Sequence, residues 1–325
     1  MSTGDHRIAT DATLQLILAA IQALEPGLVT TAQAGKLAPD AEAIENGFIK
    51  LATSSNKGLM SRAFAALLES PDKVTFYANS VTGNAGFHNS IYRGKYLGNA
   101  ITNAQSAAIR AGTFDDLFVG DYWTINSVDW VIVGFDIRYN IGDTALTTHH
   151  VGVMPRTNLY STKWNETSNT VTGGVNGGAG YVGSSIRANI KSSTNGSAEG
   201  AEKKVIAAFG SNHVLAFREI YPSTYNSDGN ATGWAWVDAK TELLSEVDVY
   251  GCPAWSVGGR GYEIGADKSQ LPIFRLRPDF ANIRASWWLR SVYSATNACF
   301  VNGNGTANAL GASGSFGVRP LSLIA

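Results

Sequence analysis

Residues 286–325 read Ser286-Trp287-Trp288-Leu289-Arg290-Ser291, then VYSATNACFVNGNGTANALGASGSF, then Gly317-Val318-Arg319-Pro320 and a closing LSLIA. Inside this stretch Asn304–Ala312 alternates. Gly305, Ala307, Ala309 and Gly311 are all small, while Asn304, Thr306, Asn308, Leu310 and Ala312 differ in size and polarity. A period of two belongs to a strand, whose successive side chains face opposite sides. The small set predicts a face fixed by close packing, and the mixed set a face free to vary. A strand with a purely structural task would carry large apolar groups on its inner face. From Trp287 onward the sequence therefore predicts short strands and turns that present a binding surface.

The composition of the whole chain agrees with adhesion. Charged residues make up 16%, against about 25% in an ordinary soluble domain, so Asn, Ser, Thr, Gly and aromatic groups must cover much of the surface. The 44% hydrophobic content suffices for a sizeable core. The 35 glycines, 8 tryptophans and 12 tyrosines predict many tight turns and adhesive aromatics. A net charge of -1, with no basic patch, excludes a protein built to neutralise nucleic-acid phosphates; the pair Lys203-Lys204 reads as a solvated helix face. Cys252 and Cys299 are too few for a disulfide framework, and two free thiols is the preferred reading over a single bridge. The apolar run Leu14–Leu24 is shorter than the ~20 residues that span a bilayer. Asp5 and Asp11 precede it where a signal peptide would be basic. It reads as a short helix packing on a partner.

Outward from the C-terminal stretch, the elements are short. Asn103–Ala111 predicts a helix stopped by Gly112. Tyr122–Asp136 predicts a hairpin turning at Asn126-Ser127, apolar on both faces and hence central and covered. Strands are expected at Thr148–Met154, ended by Pro155, and at His213–Glu219. Helices are expected at Glu199–Phe209 and Lys240–Val249, and Asn165–Gly183 reads as a long surface loop. Residues 1–84 differ in texture: two helical runs, Thr13–Leu24 and Lys57–Glu69, flank a polar connection, and turn-rich Asn79–Asn89 marks a boundary. The expected organisation is an attachment or oligomerisation region, 1–84, and a recognition domain, 85–325, of α+β class with short helices around small antiparallel sheets.

Signals for chemistry are weak. Gly178-Ala179-Gly180-Tyr181-Val182-Gly183 has dinucleotide-binding spacing, but no buried strand precedes it, so the glycines are read as permitting a tight loop before a helix. His149 and His150, adjacent on a strand, face opposite sides and are expected to be hydrogen-bonded interior groups rather than metal ligands. Asp115, Asp116 and Asp121 could offer calcium oxygens, though turn and capping roles are favoured. Glu242 and Glu246, four apart, are expected on one solvated helix face. No HExxH, GxSxG, Walker loop or Cys-His zinc spacing occurs. These readings favour a binding protein over an enzyme, with no cofactor and no metal.

Trp287-Trp288-Leu289-Arg290-Ser291, the Gly/Asn-rich middle and Gly317-Val318-Arg319-Pro320 together resemble the signature of a phage tail-protein family with a C-type-lectin-like fold. The target proteins of diversity-generating retroelements and the formylglycine-generating enzymes share that general fold. The resemblance extends through Phe114–Trp123, Thr148–Val151 and Tyr181–Ser184, and so covers roughly residues 91–325. It implies that Arg290 and Arg319 are structural and flank a ligand-facing loop. It also implies that Tyr293, Ser294, Thr296, Asn297, Phe300, Asn302, Asn304, Thr306, Asn308 and Leu310 are exposed contact residues. Adenine-directed mutation of Asn codons in retroelement targets yields such a set, which also resembles antibody paratopes; a diversified and a static binder both fit. The Glu-Pro-Asn, Gln-Pro-Asp and Trp-Asn-Asp motifs of calcium-dependent sugar-binding lectins are absent from the sequence.

The resemblance implies a phage or prophage virion protein, exposed outside the cell. Its partners would be a host cell-surface protein or glycan and, through residues 1–84, other virion proteins in a homo-oligomer, a trimer being favoured; neither nucleic acid nor membrane is an expected partner. Two rivals make different demands. A structural tail or head decoration protein would bury the same C-terminal residues against other subunits. An oxidative enzyme of the formylglycine-generating type would bring Cys252 and Cys299 together beside a pocket.

Overall fold

The computed structural model describes residues 85–175, 178–191, 200–256 and 269–325. The expectations for residues 1–84, including both N-terminal helices, lie outside the described residues. Among those described, the architecture is mixed α and β: short strands in small, mostly antiparallel sheets, with a few short helices. No described helix is long and apolar enough to cross a membrane.

The first sheet begins with the hairpin read from the sequence. Strands β1 (Tyr122–Ile125) and β2 (Val128–Phe135) pair antiparallel. Asn126 and Ser127 between them both have positive φ, 52° and 62°, the two-residue turn whose twist matches that of the strands. The hairpin is not wholly central. β2 lies inside the sheet, with Trp130–Phe135 buried, while β1 is its edge strand. Residues 95–98 cover that edge: the Tyr122 N–H donates to the Lys95 carbonyl and the Leu97 N–H to the Tyr122 carbonyl. β3 (Val151–Pro155), β12 (Leu321–Ile324) and the two-residue β7 (Thr241–Glu242) complete the order β1-β2-β3-β12-β7.

The second sheet has the order β10 (Ala307–Gly311), β9 (Asn297–Val301), β8 (Trp287–Val292), β11 (Ser315–Val318), β4 (Tyr160–Lys163). Its one parallel pair joins β8 to β11, with Gly317 opposite Trp287. A separate ribbon pairs β5 (Phe217–Tyr225) with β6 (Ala231–Ala239). The strand expected at His213–Glu219 thus starts later and runs further, through Pro222.

After a short helix α1 (Ala85–His88), helix α2 (Asn103–Ala111) has the predicted bounds. A Thr102–Gln105 capping box opens it, and Gly112, at φ 70°, closes it. α5 (Ala201–Phe209) buries Ala201, Val205 and Phe209. The expected loop Asn165–Gly183 is partly structured: it ends in a short helix, α3 (Gly180–Gly183), followed by α4 (Ser185–Lys191), and Asn165 and Thr170 are buried. Its glycines do allow close approach. A Cβ on Gly178 would stand 2.5 Å from the Gly183 Cα, and one on Gly174 would overlap the Gly183 carbonyl.

The helix expected over Lys240–Val249 does not form as one unit. Ser245 caps α6 (Glu246–Tyr250), exchanging hydrogen bonds with Asp248, so residues before it are free to join the first sheet as β7. Glu242 and Glu246 are consequently on different elements, and both are buried rather than solvated.

Two hydrophobic cores meet at β8. Trp287 belongs to the core of the first sheet and stacks on Phe274. Trp288 belongs to a second core, against Phe300 and Phe316. Adjacent strand residues face opposite sides, so the Trp-Trp pair serves both cores. Each indole N–H finds a carbonyl, that of Ala281 for Trp287 and that of Thr162 for Trp288.

Candidate functional site

The β8–β9–β10 edge of the second sheet carries the residues singled out from the sequence. Cross-strand partners share a face. Ala307 opposes Val301 and Ala309 opposes Cys299, so the small residues lie over buried groups of the first core. Asn308 opposes Phe300 and Leu310 opposes Ala298 on the other face. Leu310 is 46% exposed, while Phe300 is 4% exposed. Phe300 is therefore not a contact residue. It lies one strand in from the edge, where Trp288 and Phe316 cover it, the latter at a ring distance of 4.4 Å. The same face is open at β10 and closed at β9.

The other candidates occupy two turns at opposite ends of β9. Tyr293, Ser294 and Thr296 form the β8–β9 turn that leads into Asn297, and the Ser294 hydroxyl accepts the N–H groups of Thr296 and Asn297. Two neighbours clamp this turn. Thr170 donates its hydroxyl to the Ser294 carbonyl at 2.6 Å, and the Ala295 N–H donates to the Asp228 carbonyl at the tip of the β5–β6 ribbon. Gly229 sits so close that a Cβ there would meet the Ser294 carbonyl carbon at 2.3 Å. Asn302, Asn304 and Thr306 form the β9–β10 turn, bonded to one another. β9, of five residues, separates the turns by about 17 Å at 3.4 Å per residue, so the ten positions do not form one compact patch.

Sequence reasoning missed the residue that joins them. Trp255 is 42% exposed and packs edge-on against Tyr293, itself 37% exposed, with ring centroids 5.4 Å apart. Its indole N–H donates to the Ala307 carbonyl on β10. Buried Glu246 holds this segment in place: its carboxylate accepts the backbone N–H groups of Ala254, Trp255 and Ser256 at 2.7–3.1 Å. Tyr250, on the same helix, donates its hydroxyl to the Gly305 carbonyl. The exposed Trp255–Tyr293 pair therefore rests on a rigid support, while Leu310 is exposed on the face it shares with Ala298 and Phe300.

Behind this edge lies a narrow cleft open to solvent, lined by residues that include Tyr181, Tyr221, Tyr225, Trp234, Arg290 and Val292. Arg290 of that lining belongs to a buried ionic network. Arg138 pairs with Glu219 and Asp248, Arg290 with Asp248 at 3.1 Å, and Arg187 with Glu242 at 2.8 Å. Burial alone would raise the Asp248 carboxyl, but the charges of Arg290 and Arg138 and the Ser245 hydrogen bonds hold it below its ordinary value. Arg290 also donates to the Leu243 carbonyl. Arg319 is buried between the Phe280 and Trp287 rings and donates to the carbonyls of Pro155 and Phe280. Both arginines thus tie elements together.

The remaining polar candidates are spoken for by structure. Asp121 is buried, pairs with Arg93 and accepts the N–H groups of Lys95 and Phe118, and Asp116 pairs with Arg93 and Lys95. His150 is buried, whereas His149 is not interior: it is half-buried, hydrogen-bonded to Asp136 and stacked on Tyr139. Among the described residues no group of three His, Cys, Asp or Glu side chains is placed to hold a metal. Both cysteines are free, Cys252 exposed and Cys299 buried beside Glu246. Burial and the Glu246 charge push the Cys299 thiol up.

The fold and site describe a mixed α and β domain with an aromatic, turn-rich edge and a buried ionic network. A family described as a domain of unknown function, DUF6273, matches residues 212–325, the part that holds the ribbon, α6 and strands β8–β12. No curated protein and no solved structure matches the chain.

Proposed function

We propose that residues 85–325 are a C-type-lectin-like recognition domain, displayed by a phage or prophage virion protein, whose β8–β10 edge binds a ligand on the host surface. One observation carries this reading: the exposed Trp255–Tyr293 pair is held against the β8–β10 hairpin by the Trp255 N–H to Ala307 carbonyl bond. Aromatic anchors with adaptable amide and hydroxyl groups around them are what recognition surfaces use. The held backbone lowers the ordering cost of binding. Arg290 and Arg319, which the family resemblance treats as structural, are both buried. Many copies on one particle turn weak single contacts into firm attachment.

The test is attachment of the purified full chain to candidate host cells, beside a variant carrying Tyr293→Ala, Trp255→Ala, Asn308→Ala and Leu310→Ala. Attachment that the folded variant loses by tenfold or more supports recognition through this edge. Equal attachment by both proteins, or none by either in its oligomeric form, overturns it in favour of a structural virion component.

A further inference from the structure

Four phenylalanine rings surround one histidine in α1, the first described element of the chain. His88 is fully buried and is the only buried residue of that helix. Its ring centroid stands 5.0 Å from that of Phe118, 5.2 Å from Phe135 and 5.6 Å from both Phe87 and Phe114. Its Nδ1 meets the Leu117 carbonyl at 2.7 Å, so the neutral ring carries its proton there. The other nitrogen, Nε2, is buried and has no hydrogen-bond partner. An orphaned buried acceptor costs stability, and a phenylalanine would complete the box without one. What histidine brings to this place is the ability to take up a proton near neutral pH.

The surroundings decide which form of the ring the box accepts. Burial disfavours the charged ring and outweighs every other influence on it. The Leu117 carbonyl, the Asp115 charge and, least of all, the Thr113 carbonyl favour the charged form, while the Arg93 charge opposes it. Arg93 lies over the Phe118 ring at 4.8 Å and already pairs with Asp116 and Asp121. His149 packs edge-on against Phe114, with its Nδ1 turned to Asp136. A ring released into water takes its proton near pH 6.5, and the docked ring takes it only at lower pH. Docking is therefore fully favoured above pH 6.5 and weakens as pH falls below it. The next residue does not titrate. The Asn89 side chain exchanges two hydrogen bonds of 2.8 Å with the backbone of Phe135, a clamp that holds at any of these pH values.

We propose that His88 is an acid-released latch: its protonation withdraws the ring from the phenylalanine box and frees residues 85–88 from the domain, with the Asn89 clamp marking where the release stops. The device belongs to α1 and its box, away from the Trp255–Tyr293 pair, and does not rest on the recognition reading.

Hydrogen exchange on the full chain, resolved to single residues and corrected for the intrinsic effect of pH, tests it at pH 7.5 and 5.0. The Asn89 and Ser90 N–H groups report on α1 through their bonds to the Ala85 and Phe87 carbonyls, and the Phe135 N–H reports on the clamp. On acidification the protection of Asn89 and Ser90 should fall at least fivefold, and at pH 5.0 it should lie at least tenfold below that of Phe135. His88→Phe and His88→Gln should each hold the fall below twofold; Gln can still donate to the Leu117 carbonyl and serves if Phe fails to fold. His149→Gln and His150→Gln should leave the fall as in the wild type. Three outcomes overturn the proposal: constant protection at Asn89 and Ser90 in the wild type, an undiminished fall in a folded His88 variant, or protection at Asn89 as high as at Phe135 at pH 5.0, which means that the domain opens as a whole.

Discussion

His150 shows how one residue ties the interior to solution conditions. It is buried, its Nδ1 faces the Thr148 carbonyl at 2.9 Å, and its Nε2 accepts the Arg138 N–H at 3.1 Å. That pair of contacts fits only a neutral ring with its proton on Nδ1. Burial lowers its pKa from 6.5 to about 4, against the opposing pull of Asp136. The unfolded chain therefore takes up a proton near pH 6.5 that the folded chain refuses until about pH 4. Stability is complete above pH 6.5 and falls as pH drops through that window, by roughly 3 kcal/mol at most. Burial lowers His88 in the same sense. Urea midpoints at pH 7.5, 6 and 4.5 should decline in step, and a His150→Gln variant should show a shallower slope. The sequence reading placed His150 in the interior because of its strand context. It placed His149 there too, and nothing local could show that a Tyr139 ring would hold that side chain near the surface.

Among elements, the short helix α6 holds the segment that carries Trp255. Its first residue, Glu246, organises Ala254–Ser256 and through them Trp255. Glu246→Ala would leave three backbone N–H groups without their acceptor and should cost about 2–4 kcal/mol. Ligand attachment should fall by more than the residual unfolding explains, because Trp255 would no longer be held against Tyr293. Thermal melts compared with cell-attachment titrations of the same protein check both parts. This role was not legible in the sequence. Glu242 and Glu246 have the spacing of a helix face, and the N–H donors and cations that make each buried carboxylate tolerable come from other segments, Arg187 for one and residues 254–256 for the other. The hairpin turn at Asn126-Ser127 was legible because a two-residue turn is a local device. Phe300, expected among the exposed contacts from the family resemblance, is buried because Phe316 is brought alongside it through β8 and β11.

At the scale of the whole molecule, β8 joins two cores that would otherwise be independent. Trp288→Ala should cost about 3–5 kcal/mol, as a large buried side chain does. Because Trp287 on the same strand carries the first core, the loss should propagate, and urea unfolding followed by tryptophan fluorescence and by far-UV circular dichroism should still coincide in one transition. Two separated transitions would show that the cores unfold independently. The mixed α and β character was legible from the strand periods and short helices. The second sheet was not, because its order depends on the single parallel contact between Gly317 and Trp287.

The position of β12 has a consequence for how the chain is made. Leu321–Ile324 sit between β3 and β7, in the interior of the first sheet rather than at its rim. On the ribosome, β1, β2 and β3 emerge long before their last partner, and until then β3 presents an unpaired strand edge of buried, apolar residues. Every residue of the recognition edge is synthesised during that wait. The β3 edge is therefore closed only after the residues of the β8–β10 edge have been made.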